Sequence, residues 1–147
     1  MNFDQYDFTL ELAVRDYECD MDGVVNNANY QHYLEHTRNE CLKTLDLNYS
    51  TMTKADCHLY VARINIEYKY PLRSNDIFVV AMRITRPSTA SLELDQDIYR
   101  RPDHKVILNA KVVIVGMDGQ SYRLPKPIID KIPITEPDNK NRGQDAF

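Results

Sequence analysis

"CDMDGVVNNANYQHYLEHTRNECLKTL", residues 19–45, joins a run of turn residues to an amphipathic stretch, and the reading of that junction decides the fold. Asp20, Asp22, Gly23, Asn26 and Asn27 are residue types that favour turns and helix starts. Beyond them the apolar positions recur at helical spacing. This predicts a helix from about Ala28 to Leu45, capped by Asn26 or Asn27. At about 100° per residue, Tyr30, Leu34, Thr37, Cys41 and Leu45 share one stripe with Tyr33 beside it. His32, His36, Asn39 and Lys43 fall on the opposite side.

Upstream of the junction, Phe8, Leu10, Leu12 and Val14 fall on one side and Thr9, Glu11 and Arg15 largely on the other, the period of a half-buried strand. Downstream come "HLYVARINIEYKYP", "DIFVVAMRITR", "ASLELDQDIYRR" and "KVILNAKVVIVGMDGQSYRL", all rich in β-branched and aromatic residues. Their joints, "PLRSND", "RPST", "RPDH" and "MDGQ", are short, so successive strands must run antiparallel. The layout β-α-β-β-β-β is an α+β domain in which one long helix packs on an antiparallel sheet of about five strands. Residues 1–130 form the single domain. Pro125, Pro127, Pro133 and Pro137 then break the pattern, and 131–147 is expected to be an extended or disordered tail. The long strands leave edges to be covered, which a homodimer would do.

Composition narrows the function classes. A net charge of −4 argues against nucleic acid as a partner. With no run of about 18 apolar residues, membrane insertion is not expected, and the acidic "MNFDQYDFTLEL" start does not read as a secretion signal. The three cysteines, Cys19, Cys41 and Cys57, suit free thiols in a reducing compartment, so the expected location is cytoplasmic.

Several motifs compete for the chemistry. His32-Tyr33-Leu34-Glu35-His36 matches the H-x-x-E-H pattern of inverted zinc proteases, yet both histidines lie on the polar helix face and no third ligand is evident. No G-x-S-x-G elbow and no glycine-rich phosphate loop occurs among the four glycines. Cys57-His58 is adjacent in sequence, whereas a catalytic pair meets across the fold. Asp20 precedes a helix N-terminus, where free backbone amides and the helix dipole would hold a developing oxyanion beside a carboxylate. By spacing alone the reading favoured here is that Asp20 and Asp22 are turn and capping residues. Glu35 reads either as an i,i+3 partner of Arg38, the reading favoured here, or as a second carboxylate orienting water.

"CDMDGVVNNANYQHYLEHTR" resembles the signature of hotdog-fold acyl-CoA thioesterases of the 4-hydroxybenzoyl-CoA thioesterase-like, YbgC-type family, with Asp20, Gly23, Val25, Tyr30, Glu35 and Arg38 in its places. Further likeness lies in "INIEYKYPLRSNDIFVV", "RITRPSTASLELDQDIYR" and "AKVVIVGMDGQSYRLPKPI", so the resemblance spans about residues 8–130. It implies a hotdog fold, the sheet wrapped round the central helix, and a homodimer or dimer of dimers with active sites at the subunit interface. It also implies hydrolysis of an acyl-CoA to free acid and CoA, with no cofactor and no metal.

By that resemblance Asp20 is the nucleophile or general base, the Asn27 amide polarises the thioester oxygen, and Glu35 is a further catalytic candidate. Ser88, Thr89 and Ser91 match a loop near the pantetheine arm, and Arg100, Arg101 and Lys105 would meet the nucleotide phosphates. Relatives often carry a histidine at the position of Val24 or Asn27. Its absence here leaves open a non-catalytic acyl-thioester binder. "DMDGVVNN" also resembles the D-x-N-x-H-V-N-N loop of acyl-ACP thioesterases, with Asp22 for asparagine and Val24 for histidine, so acyl-ACP is the alternative substrate. A zinc hydrolase working through the H-x-x-E-H stretch is the remaining alternative.

Overall fold

The computed structural model describes residues 2–135. Its strands are β1 (Phe8–Ala13), β2 (Cys57–Tyr68), β3 (Ile77–Thr85), β4 (Ser91–Arg101) and β5 (Lys105–Asp118), and its long helix is α1 (Asn27–Lys43). Two short helices, α2 (Tyr49–Lys54) and α3 (Lys126–Lys131), complete the element list with one 3-10 turn at Asp16–Glu18. The strands form one sheet in the order β1-β3-β4-β5-β2, and every pairing is antiparallel. This is the α+β arrangement that the strand-rich sequence and its short joints predict.

α1 begins where its cap says it should. The Asn26 side chain accepts the Ala28 amide at 3.0 Å, satisfying one of the donors that a helix start leaves without an intrahelical partner. Tyr30, Tyr33, Leu34, Thr37 and Cys41 are its buried residues, so the expected stripe faces the sheet as far as Cys41. The helix ends at Lys43, and Leu45 lies beyond it, half-buried against the core.

Two apolar clusters sit beneath the helix. One gathers Tyr30, Tyr33 and Leu34 with Phe78, Val80, Ile98 and Leu108; the other gathers Cys41 with Met82, Leu92, Leu94, Val112, Ile114 and Ile128. Gln96, fully buried on β4, donates to the Leu34 carbonyl at 3.0 Å and accepts from Arg38 Nη1 at 2.9 Å. On the opposite sheet face the N-terminal segment is tied down by Tyr6, whose hydroxyl donates to Asp97 at 2.8 Å.

The proline-bearing stretch after Leu124 is helical in part. α3 forms there, and Ile128 is fully buried in the second cluster. Ile132 lies against the core, and beyond it the chain is exposed but tied back at Thr135, whose amide donates to the Arg86 carbonyl at 2.9 Å. The remainder of the expected tail, 136–147, lies outside the described residues. No helix among the described residues is long and apolar enough to cross a membrane.

Candidate functional site

The loop between the 3-10 turn and α1 is held from three sides. Asp20 N donates to Val24 O at 2.8 Å, closing a tight turn in which Gly23 takes a φ of 77°, a region that favours glycine. Val25 N donates to Leu72 O at 2.9 Å, and Val24 bridges to Arg73, which docks the loop on the segment leading into β3. The Glu18 carbonyl accepts both Asn26 N at 3.0 Å and Asn29 Nδ2 at 2.8 Å, fixing the loop to the helix start.

Within this frame Asp20 is exposed and its carboxylate is asymmetric. Oδ1 accepts the amides of Asp22 at 2.9 Å and Val24 at 3.4 Å, while among the described residues nothing donates to Oδ2. One oxygen anchors the rotamer and the other is open to an incoming group. Asn27 is the first residue of α1, and its amide has no intrahelical acceptor, so it is available to an external oxygen. A carboxylate and a free helix-start amide therefore share one short loop. Such a pair suits attack on a carbonyl whose oxygen becomes negative.

The other expected residues are distributed differently. Glu35 is exposed on α1, roughly 12 Å along the axis from Asn27 at about 1.5 Å per residue. It makes no ion pair with Arg38; that expectation fails because Arg38 turns inward to Gln96. Burial lowers the Arg38 pKa, partly offset by the Glu35 charge. Arg100, Arg101 and Lys105 lie at the Asp20 end of the sheet, where β3 starts and β4 ends. Arg100 is already paired with Asp103, at 2.6 Å for the closer contact, which pushes Asp103 down to about 2; Arg101 meets Glu11 at 3.2 Å. Lys105 lies over the Tyr70 ring at 4.6 Å.

Ser88, Thr89 and Ser91 sit at the other end of β4. There Ser88 and Ser91 hydroxyls meet at 3.0 Å, and the Thr89 carbonyl accepts Leu124 N. Ser91 and Arg100 are nine residues apart on one strand, roughly 30 Å at about 3.3 Å per residue. One chain does not bring the two expected carrier-binding groups together. His32 and His36 are exposed on α1, and among the described residues no third side chain joins them as a metal site.

Sequence reasoning missed Glu18, Asn29 and the Tyr30 hydroxyl, which accepts Leu72 N at 3.0 Å. Glu18 is buried, its carboxylate accepting Arg15 N at 2.8 Å across the 3-10 turn. The spacing of Arg15 to Glu18 was the one local signal available.

Compared with known proteins, residues 14–133 match the family model described as the thioesterase-like superfamily. The chain is 38% identical over 124 residues to the chloroplastic acyl-acyl carrier protein thioesterase ATL3 of Arabidopsis thaliana, covering 83% of this chain and 65% of that one. It thus spans less than two thirds of that plant relative. It is 40% identical over 113 residues to the putative acyl-CoA thioesterase YneP of Bacillus subtilis, covering 77% and 81%. Among solved structures, Slr0204 of Synechocystis, a 1,4-dihydroxy-2-naphthoyl-CoA thioesterase, superposes with a TM-score of 0.77 at 21% identity, covering 82% of this chain and 90% of that one. That likeness carries the hotdog fold.

Proposed function

The chain belongs to the thioesterase-like superfamily, and on that premise we propose that it hydrolyses an acyl thioester, cleaving the C–S bond with water to give a free carboxylic acid and a thiol carrier. Asp20 supplies the carboxylate, either taking a proton from the attacking water or adding to the carbonyl carbon itself. The Asn27 amide holds the carbonyl oxygen as it gains charge. The observation that carries this reading is that, among the described residues, nothing donates to Asp20 Oδ2 and nothing accepts from the Asn27 amide at the start of α1.

The carrier is CoA in this reading, as the names of YneP and other bacterial relatives suggest. ACP is the second reading, favoured by the 38% identity to ATL3. The free thiols of Cys19, Cys41 and Cys57 suit the cytoplasm as the place of action.

The working unit is a homodimer formed across β2. This strand is at the sheet edge, twelve residues long, with Tyr60 and Val61 about half exposed. A free edge of this length invites a second strand. Antiparallel pairing about a two-fold near its middle sets the partner subunit's Tyr68 beside Cys57 of this chain. The loop of Asp20 lies near the Tyr68 end, because Tyr68 packs on Tyr30 at 5.6 Å between ring centres and Tyr30 is bonded to Leu72.

Asp20→Asn separates chemistry from scaffold, since the amide oxygen still accepts the Asp22 and Val24 amides. Turnover of an acyl-CoA panel, followed by thiol release, should fall by about 10²–10⁴-fold with KM and Tm little changed. Full turnover in this variant would remove Asp20 from the reaction. Running acyl-ACP beside acyl-CoA decides the carrier.

A further inference from the structure

On the flank of α1 away from the Asp20 loop, a groove of about 760 Å³ opens between the second half of the helix, α2 and the first residues of β2. Its apolar wall includes Leu47, Met52 and Cys57, and its rim is polar, with His36, Asn39 and Lys43. Under it, between α1 and the sheet, lies a second space of about 40 Å³ bordered by Cys41, Met82, Leu92, Ile114 and Ile128. Two side chains line both spaces: Leu42 from α1 and Leu59 from β2. Both are half-buried and packed on the second core cluster, so they form the partition between an open groove and an apolar interior.

We propose that the groove receives the acyl chain of the thioester and that Leu42 and Leu59 are its floor, the residues that set the maximum chain length. The proposal rests on the thioesterase reading and deepens it. An unbranched hydrocarbon is the occupant that fits the features together. It buries CH₂ groups against Leu47, Met52 and Leu59, passes a rim that stays in water, and reaches its limit at two leucines with an apolar space behind them. The place is also right, because the Cys57–Tyr60 end of β2 is where the partner subunit's Asp20 loop arrives in the two-fold arrangement above. The acyl chain held by one copy is then cleaved by the carboxylate of the other.

The test uses the whole chain and two readouts: displacement of a fluorescent fatty acid by saturated fatty acids of increasing length, and kcat/KM on the matching acyl-CoA series. In the wild type each methylene that gains apolar contact raises affinity about fourfold until the floor is reached, after which affinity levels off. Leu59→Ala joins groove and interior, and the levelling point moves to longer chains. Leu59→Phe raises the floor and moves it to shorter ones, and it keeps the fold intact if the alanine variant does not. Adding Ile114→Phe to Leu59→Ala fills the interior and returns the wild-type limit.

The same limiting length in wild type and a folded Leu59→Phe would overturn the proposal, as would a wild type that binds no fatty acid at all. Absence of hydrolysis on every acyl-CoA and acyl-ACP would instead sink the thioesterase reading, while the displacement series still judges the pocket.

Discussion

Tyr30 and Tyr33 stand one turn apart on the buried side of α1, and their hydroxyls have opposite fates. Tyr30 accepts the amide of Leu72, itself fully buried, whereas the Tyr33 hydroxyl is buried with no hydrogen-bond partner among the described residues. Burial raises both pKa values, and the nearby Glu18 charge raises that of Tyr33 further. Removing the Tyr30 hydroxyl leaves the Leu72 amide stranded, so Tyr30→Phe should cost about 1–3 kcal/mol in urea unfolding. Tyr33→Phe should cost less, since no backbone amide depends on its hydroxyl and only the Glu18 carboxylate lies near it. Equal losses in the two variants would contradict this distinction. The helical stripe already placed both rings on the apolar side, but it could not tell the hydroxyls apart, because the Leu72 amide lies 42 positions away in sequence. The same limit explains Arg38. Its neighbour in sequence is Glu35, but its partner in space is Gln96 on β4. The turn at Asp20 and the helix start at Asn27 were legible because both are local events, whereas the role given to Asp20 came from the resemblance to a family.

Strands and the long helix were legible at the level of elements because each repeats its period over many residues, while α2 and α3 span six residues each and show none. α2 buries no residue at all, so no apolar stripe could announce it. α3 owes its position to the strand before it. Gly116 N bonds to Ala90 O at 2.9 Å and its carbonyl accepts Arg123 N at 3.0 Å, which folds the chain after β5 back along the sheet end. A Cβ on Gly116 would come within 2.5 Å of Arg123 O and 2.7 Å of Leu124 Cα, both backbone atoms with little room to move. Gly116→Ala is therefore expected to cost about 1–3 kcal/mol, seen as a lower Tm. The change should be felt at Ser88–Ser91 as well, because Leu124 N is bonded to Thr89 O. Faster amide hydrogen exchange at Leu124 and Ala90 in the variant would locate the damage; an unchanged Tm would mean that the chain end shifts without cost.

For the molecule as a whole, the sequence foretold an uncovered edge without saying which strand would carry it. The strand order answers that: β1 and β2 are the outer strands, and β2 is the longer, with Tyr60, Val61 and Tyr68 about half exposed. Pairing of two copies through β2 would hide that surface and bring the Asp20 loop of one beside the groove of the other. Val61→Asp places a negative charge on this edge, and the two-fold sets it near its own symmetry mate, so like charges oppose pairing. Sedimentation should then show a monomer for the variant and a dimer for the wild type, and the far-ultraviolet spectrum should be unchanged because Val61 is not part of the core. Turnover should fall as the dimer is lost even though Asp20 and Asn27 are untouched, and wild-type specific activity should drop on dilution below the dimer dissociation constant. A Val61→Asp monomer with full kcat would mean that one chain holds a complete site. The acyl chain would then have to reach Asp20 along α1 of the same subunit, from a groove whose nearest helical residue, His36, is roughly 14 Å from Asn27 at about 1.5 Å per residue.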